Sequence, residues 1–459
     1  MHMVGRSKRY LGIGTAAAML AAYGSLLIAH TSGEMRSQLE SDGGRARNVI
    51  LLIGDGMGDS EITVARNYHL GAAGRLVLDT LPFTGAYTTF SVQEANPSLP
   101  DYVPDSAATG TAWATGSKTS NGRISTTAGS DIDLPTILEL AQRAGLRTGD
   151  VSTAELTDAT PAVLASHVRA RGCQGPANMA ACPQDKKSAG GPGSIAEQLV
   201  DHHVDVLLGG GRQRFDQIID GGPDAGRTVT QSAMRQGYVV AKTAAELDAL
   251  APGSPVLGLF TPGNMTLEWT GQLAMPYPGT GPQVCSENQR PANEPALAQM
   301  TRKAIELLDA APDRSGRGRG PGFFLQVEGA SIDKQDHVEN PCAQIGETTA
   351  FDAAVKVALD YAREHRDTLV IVTADHAHTS QIIPQPTATD HSPGAFSTLV
   401  THDNALMTVN YATNLHGRSQ EHTGSQLRIA AFGPRGGAIG GVLDQTDLFG
   451  IMLSALGLD

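Results

Sequence analysis

Asn48-Val49-Ile50-Leu51-Leu52-Ile53-Gly54-Asp55-Gly56-Met57-Gly58-Asp59 is the stretch from which the fold is read. Val49–Ile53 is a short apolar run closed by a glycine-rich turn, the pattern of a strand buried on both faces. The same pattern recurs at Val204–Leu208, Tyr238–Ala241, Val256–Phe260, Phe323–Val327, Leu369–Thr373 and Ile429–Phe432. Helix-like stretches lie between these runs: Pro135–Ala144, Ser194–His202, Pro295–Ala310, Gly346–His365 and Gln445–Leu456. Such alternation predicts an α/β fold, with a mostly parallel central sheet and helices on both faces. There is no internal repeat. Residues 379–421 break the alternation and are rich in Thr, Pro, His and Asn, which predicts an insertion on the rim of the main domain, 48–459.

In open α/β sheets, ligands bind beyond the carboxyl ends of the strands. Three of the apolar runs end there in acidic or histidine-bearing loops. Val49–Ile53 leads to Asp55 and Asp59, and Phe323–Val327 leads to Glu328, Asp333, Lys334, Asp336 and His337. Leu369–Thr373 leads to Asp375, His376 and His378. Each loop alone also has a plain structural reading, as a helix cap, a tight turn or a surface pair. Together they deliver several carboxylates and imidazoles to one sheet edge, where divalent cations would neutralise them. Zinc takes His and carboxylate ligands, and magnesium takes oxygen. The set therefore suits two zincs and one magnesium, and two metals roughly 4 Å apart can clamp both oxygens of an in-line displacement.

A nucleophile is offered by Asp105-Ser106-Ala107-Ala108-Thr109, which opens a run with helical propensity. A serine there is ordinarily an N-cap. A helix start also attracts phosphate through its free N–H groups and its dipole, which would place a phosphate against the Ser106 hydroxyl.

The 459-residue chain carries a net charge of -13, with 40% hydrophobic and 18% charged residues. That balance fits a globular protein with a large core and argues against nucleic acid as a partner. Arg6, Lys8 and Arg9 precede an apolar run, Leu11–Ala29, so residues 1–30 read as a signal peptide or membrane anchor. Residues 31–47 read as a flexible linker. The expected location is periplasmic or secreted, with a membrane as partner only if the segment stays uncleaved. Four cysteines behind an export signal suggest two disulfides. Of three pairings, the short loop Cys173–Cys182 is the natural local pair, which leaves Cys285 with Cys342. A zinc cluster is disfavoured, since no Cys-x-x-Cys occurs.

From Asn48 to the C-terminus the chain resembles a bacterial alkaline phosphatase of the dimeric periplasmic type. The resemblance rests on Asp55–Asp59, Pro104–Thr109, Thr153–Pro161, Gln326–His337, Thr373–His378 and Gln420–Gln426. These motifs stand in family order over about nine-tenths of the chain. The resemblance implies that Asp333, His337 and His422 hold one zinc, and that Asp375, His376 and Ser106 hold the second. It implies that Asp55 bridges the second zinc and a magnesium completed by Thr160 and Glu328. Arg171 would clamp the phosphate, while Asp158 and Lys334 would tune the magnesium and phosphate sites. The implied enzyme is a homodimer with broad specificity, suited to phosphate scavenging. It hydrolyses phosphate monoesters through a phosphoserine at Ser106. Residues alone would not single out Arg171, or His422 among 14 histidines.

Rival readings keep the same core but act on diesters, sulfates or phosphonates, or bind metal or phosphate without catalysis. A serine esterase lacks its Gly-x-Ser-x-Gly elbow. A P-loop is excluded by the spacing and order of Gly110–Thr119.

Overall fold

Strand β1 (Asn48–Gly54) is buried at every position, as its unbroken apolar run requires. In the computed structural model, which describes residues 44–310, 320–385 and 391–459, it lies near the middle of a ten-stranded sheet. The other strands are β2 (Phe83–Thr88), β3 (Arg147–Glu155), β4 (Val206–Gly210), β5 (Val239–Ala241) and β6 (Val256–Leu259). They continue with β7 (Phe323–Gly329), β8 (Thr368–Ala374), β9 (Leu427–Phe432) and β10 (Gly441–Asp444). Their spatial order is β10-β2-β9-β8-β1-β7-β3-β4-β6-β5. Only β9 runs against the rest, through antiparallel pairing with β8 and β2. In-register pairing of Gly54 with Gly329 and with Ala374 aligns the carboxyl ends of β1, β7 and β8.

Two groups of helices cover the sheet. One contains α1 (Asp59–Leu70), α3 (Leu297–Asp309) and α5 (Pro341–Glu364); the other contains α2 (Ser106–Thr115) and α6 (Asp447–Leu456). Both α5 and α6 touch β1. A short helix, α4 (Ser331–His337), follows β7 directly. No helix among the described residues is long and apolar enough to cross a membrane. The expected signal or anchor, residues 1–30, lies outside the described residues. The described chain is docked earlier than the expected linker boundary, because the Ala46 N–H donates to Ala455 O at 2.8 Å and the Arg47 N–H donates to Asp367 O at 2.7 Å.

The segment read as an irregular insertion contains three strands, Gln381–Ile383, Ala395–Val400 and Leu406–Tyr411. With Thr280–Gln283 they form a four-stranded sheet of their own. Its apolar side, including Leu399, Val409 and Tyr411, packs on Val64, Ala65 and Tyr68 of α1 and on Ile345 of α5. All four cysteines are oxidised, in the pairs Cys173–Cys182 and Cys285–Cys342. The second pair staples the start of α5 to the loop that follows Thr280–Gln283.

Candidate active site

The turn after β1 is built around Gly56, which sits at φ +68°. A Cβ there would lie 2.9 Å from Asp333 Cα, so only glycine lets this turn approach α4. The approach is fixed by the Asp333 N–H, which donates to Asp55 O at 3.0 Å. The Gly56 N–H in turn donates to Asp375 Oδ1 at 2.8 Å. Asp55, Asp333 and Asp375, from three neighbouring strand ends, are thus brought to one point and are all buried.

Ser106 occupies the first turn of α2 but does not cap it. The cap is Asp105, whose side chain accepts from the Ala108 N–H at 3.0 Å. The Ser106 hydroxyl is therefore not used by the cap, and its Oγ lies within hydrogen-bond distance of His376 Nε2, at 3.2 Å. The ordinary role of a serine at a helix start is taken here by the preceding aspartate, which leaves the serine facing the cluster.

The histidines fall into two kinds. His422 Nδ1 faces Pro104 O at 3.0 Å, His376 Nδ1 faces Ala377 O at 3.3 Å, and His337 Nδ1 faces Gln420 O. A carbonyl only accepts, so in each of these rings Nδ1 carries a proton and Nε2 is turned into the cluster. The Nε2 atoms meet one another and the carboxylates. His337 Nε2 and His422 Nε2 are 3.2 Å apart, and they lie 3.3 and 3.2 Å from Asp333 Oδ1. His376 Nε2 lies 3.2 Å from Asp375 Oδ2 and 3.5 Å from Asp55 Oδ1. Both of those carboxylate oxygens are buried without a hydrogen-bond partner. Acceptors converging on acceptors are stable only around cations. His378 is the other kind. Its Nδ1 accepts from the Thr379 N–H at 2.9 Å, so Nε2 carries the proton and points at Asp333 Oδ1, 3.3 Å away. It orients the carboxylate rather than offering a lone pair. Sequence reasoning gave His378 no role, because its tautomer is set by a backbone contact that no motif displays.

Electrostatics set His422 apart, because Asp333 favours a second proton on its ring. Burial, joined by repulsion from Asp333 and Asp375, raises Asp55 well above the usual carboxylate range. Burial would raise Asp333 too, but its histidine neighbours His378 and His422 outweigh it and hold Asp333 well below that range. Burial lowers His376 strongly and keeps it neutral. Burial also lowers His422, but Asp333 prevails and lifts it to about 9. Glu328, beside Ser152 and Thr160, is pushed up by burial to about 7.

Beside this cluster, Arg171 Nη1 donates to Asp105 Oδ2 at 3.1 Å and Nη2 donates to Asp158 Oδ1 at 2.9 Å. Lys334 Nζ donates to the other Asp158 oxygen at 2.7 Å. Burial would raise Asp158, but the two cations hold it below its ordinary value. Arg171 is thus pinned at both terminal nitrogens, and each keeps a second N–H.

The alkaline phosphatase family model matches residues 46–418, most of the chain. The chain belongs to the alkaline phosphatase family. It is 52% identical to the alkaline phosphatase of Escherichia coli over 90% of this chain and 86% of that protein. It is also 52% identical to streptomycin-6-phosphate phosphatase of Streptomyces griseus, over 95% of this chain and 96% of the relative. The alkaline phosphatase structure from the Antarctic bacterium TAB5 superposes with a TM-score of 0.67. It covers 90% of this chain and 99% of its own, at 22% identity, and shares the α/β fold. As an alkaline phosphatase, the chain is a metal-dependent hydrolase of phosphate monoesters.

Proposed function

We propose that Ser106 attacks the phosphorus of a phosphate monoester and that water then cleaves the resulting phosphoserine. The observation that carries this reading is the Ser106 hydroxyl, 3.2 Å from His376 Nε2, on a helix already capped by Asp105. We assign one zinc to Asp333, His337 and His422, and a second to Asp375, His376 and Ser106. Asp55 would serve both the second zinc and a magnesium that Thr160 and Glu328 would also hold. The fit rests on the convergent Nε2 atoms and the unpartnered oxygens of Asp55 and Asp375. Such cations, when bound, would neutralise the carboxylates, lower the pKa of the serine hydroxyl and stabilise charge on the leaving oxygen.

The chain's own groups do the remaining positioning. The first turn of α2 directs its N–H groups and positive dipole end at the phosphate. Arg171 contributes a planar fork for two phosphate oxygens, held in orientation by Asp105 and Asp158. Lys334, through Asp158, keeps that carboxylate charged and in place. Nothing in this scheme grips the alcohol half of the ester, so specificity is broad. Streptomycin 6-phosphate, named by one relative, is then one accepted monoester among many. We place the enzyme outside the cytoplasm as a homodimer that releases phosphate from extracellular esters. The disulfides favour an oxidising compartment.

Elemental analysis alongside paired assays tests the whole reading. Two zincs and one magnesium per chain are expected, with chromogenic monoesters cleaved far faster than diesters. A single metal per chain, or a diester preference, overturns it. The role of Arg171 has its own test. Arg171→Lys keeps the charge but loses the fork. Inhibition by inorganic phosphate should weaken by about tenfold, roughly 1.4 kcal/mol, together with kcat/KM. Unchanged phosphate affinity would assign that ligand to another residue.

A further inference from the structure

Three residues from three separate elements meet away from the catalytic cluster: Glu139, His167 and His202. Glu139 sits in the first turn of the helix Ile137–Arg143. There Glu139 Oε2 accepts from the Thr136 N–H at 3.0 Å, completing a capping box. Its other oxygen, Oε1, is left facing His167 Nε2 and His202 Nε2, each 3.1 Å away. His167 is held in place by Gln198, which accepts from its backbone N–H at 2.9 Å and donates to its carbonyl at 3.1 Å. His202 caps the C-terminal end of the same helix, Ile195–Asp201.

The tautomers decide what this cluster can hold. His167 Nδ1 faces Ser125 O at 3.0 Å, and His202 Nδ1 faces Gln198 O at 2.9 Å. Both Nδ1 atoms therefore carry protons, and each Nε2 is turned toward Glu139 Oε1, where either a proton or a metal cation can lie between them. Backbone carbonyls behind each imidazole, with a carboxylate oxygen shared in front, are the arrangement found around metal-bound histidines. The two 3.1 Å separations match the edge of a small tetrahedron, about 3.3 Å for ligands near 2.0 Å from a zinc ion. The side chains of Glu139 and His167 are nearly buried, while that of His202 is 30% exposed, which gives an entry path and room for water. Arg143 Nη2 lies 3.9 Å from Glu139 Oε2, and Asp133 acts electrostatically on His167.

We propose that Glu139, His167 and His202 form a further cation site for zinc or a similar borderline divalent metal, with water completing the shell. It shares no residue with the catalytic set. Because His167 lies four residues before Arg171, such an ion would tether the base of the segment that carries the phosphate clamp. The competing occupant is protons on the two imidazoles, with Glu139 as their counter-ion.

Equilibrium dialysis of the holoenzyme against graded free Zn2+, at mildly alkaline pH, separates the two. Wild type should saturate one zinc per chain above His202→Ala. Glu139→Gln should lose the same equivalent, since glutamine keeps the capping box but removes the anionic ligand. Both variants should keep phosphatase turnover within about twofold, because neither residue touches the catalytic cluster. Equal saturation in all three proteins overturns the proposal and leaves protons in the cluster. A fall of more than one equivalent, or a collapse of turnover, overturns the claim that the site is separate.

Discussion

Replacing Ser106 with alanine should cut turnover of a monoester by at least about a thousandfold, close to 4 kcal/mol of transition-state stabilisation. The α2 cap is Asp105, so the substitution leaves the helix start intact and the loss reports chemistry rather than folding. Each in-line displacement inverts phosphorus. Two successive displacements in wild type give net retention with a substrate chiral at phosphorus, and acid quench should trap phosphate on Ser106. The residual reaction of Ser106→Ala is direct attack by water and should invert. Added alcohol acceptors should divert phosphoryl groups into new esters in wild type but not in the variant. Inversion by wild type would remove Ser106 from the role of nucleophile and leave direct hydrolysis.

Metal removal should have the second large effect. A chelator should abolish activity, and zinc with magnesium should restore it better than either ion alone. Stability should fall together with activity, because an ion present at a thousandfold excess over its Kd contributes about 4 kcal/mol to the folded state. The acid side follows from Asp55. Burial and two neighbouring carboxylates raise its pKa, so protons compete for its oxygens and retention of metal should weaken as pH falls. Melting curves with and without chelator, repeated at descending pH, measure both effects. Full activity or an unchanged Tm after chelation would contradict the metal assignment.

The strands readable from sequence were those with an apolar run through the core. Val49–Ile53, Phe323–Val327 and Leu369–Thr373 fall inside β1, β7 and β8. Arg147–Glu155 escaped, although nearly all of it is buried, because its interior is polar. Asp150, Ser152 and Thr153 are tied to β7 and the turn beyond it: Gln326 donates to Asp150 Oδ1, Ser152 bonds Glu328, and Ala330 donates to Thr153. A strand that supports a polar site has no apolar run to display. Helix Asp59–Leu70 escaped for a related reason. Its apolar residues are split between two cores, Val64, Ala65 and Tyr68 facing the small one and Ile62 the main one, so no single apolar stripe shows.

The same division holds in the site. The acids and histidines just after strands were legible as a cluster, because strand ends converge. Arg171 and His422 were not, since Arg171 depends on Asp158 and on the more distant Asp105, and His422 on the distant Asp333, contacts that no motif displays. Family resemblance supplied both. The cluster of Glu139, His167 and His202 left no motif at all, since its residues meet only after three elements pack.

The sheet order β8-β1-β7 sets a timetable for the newborn chain. The strand made first lies between two strands made more than 250 residues later, in register with Phe323 at one side and Thr368 at the other. At about 5–20 residues per second, synthesis takes on the order of half a minute to travel from Gly54 to His422. Until then Asp55 has neither Asp375 nor His376 with which to share a cation. An amino-terminal fragment that ends before Asp375 lacks residues assigned to both zincs, so on that assignment neither zinc site is complete until most of the polypeptide has been made.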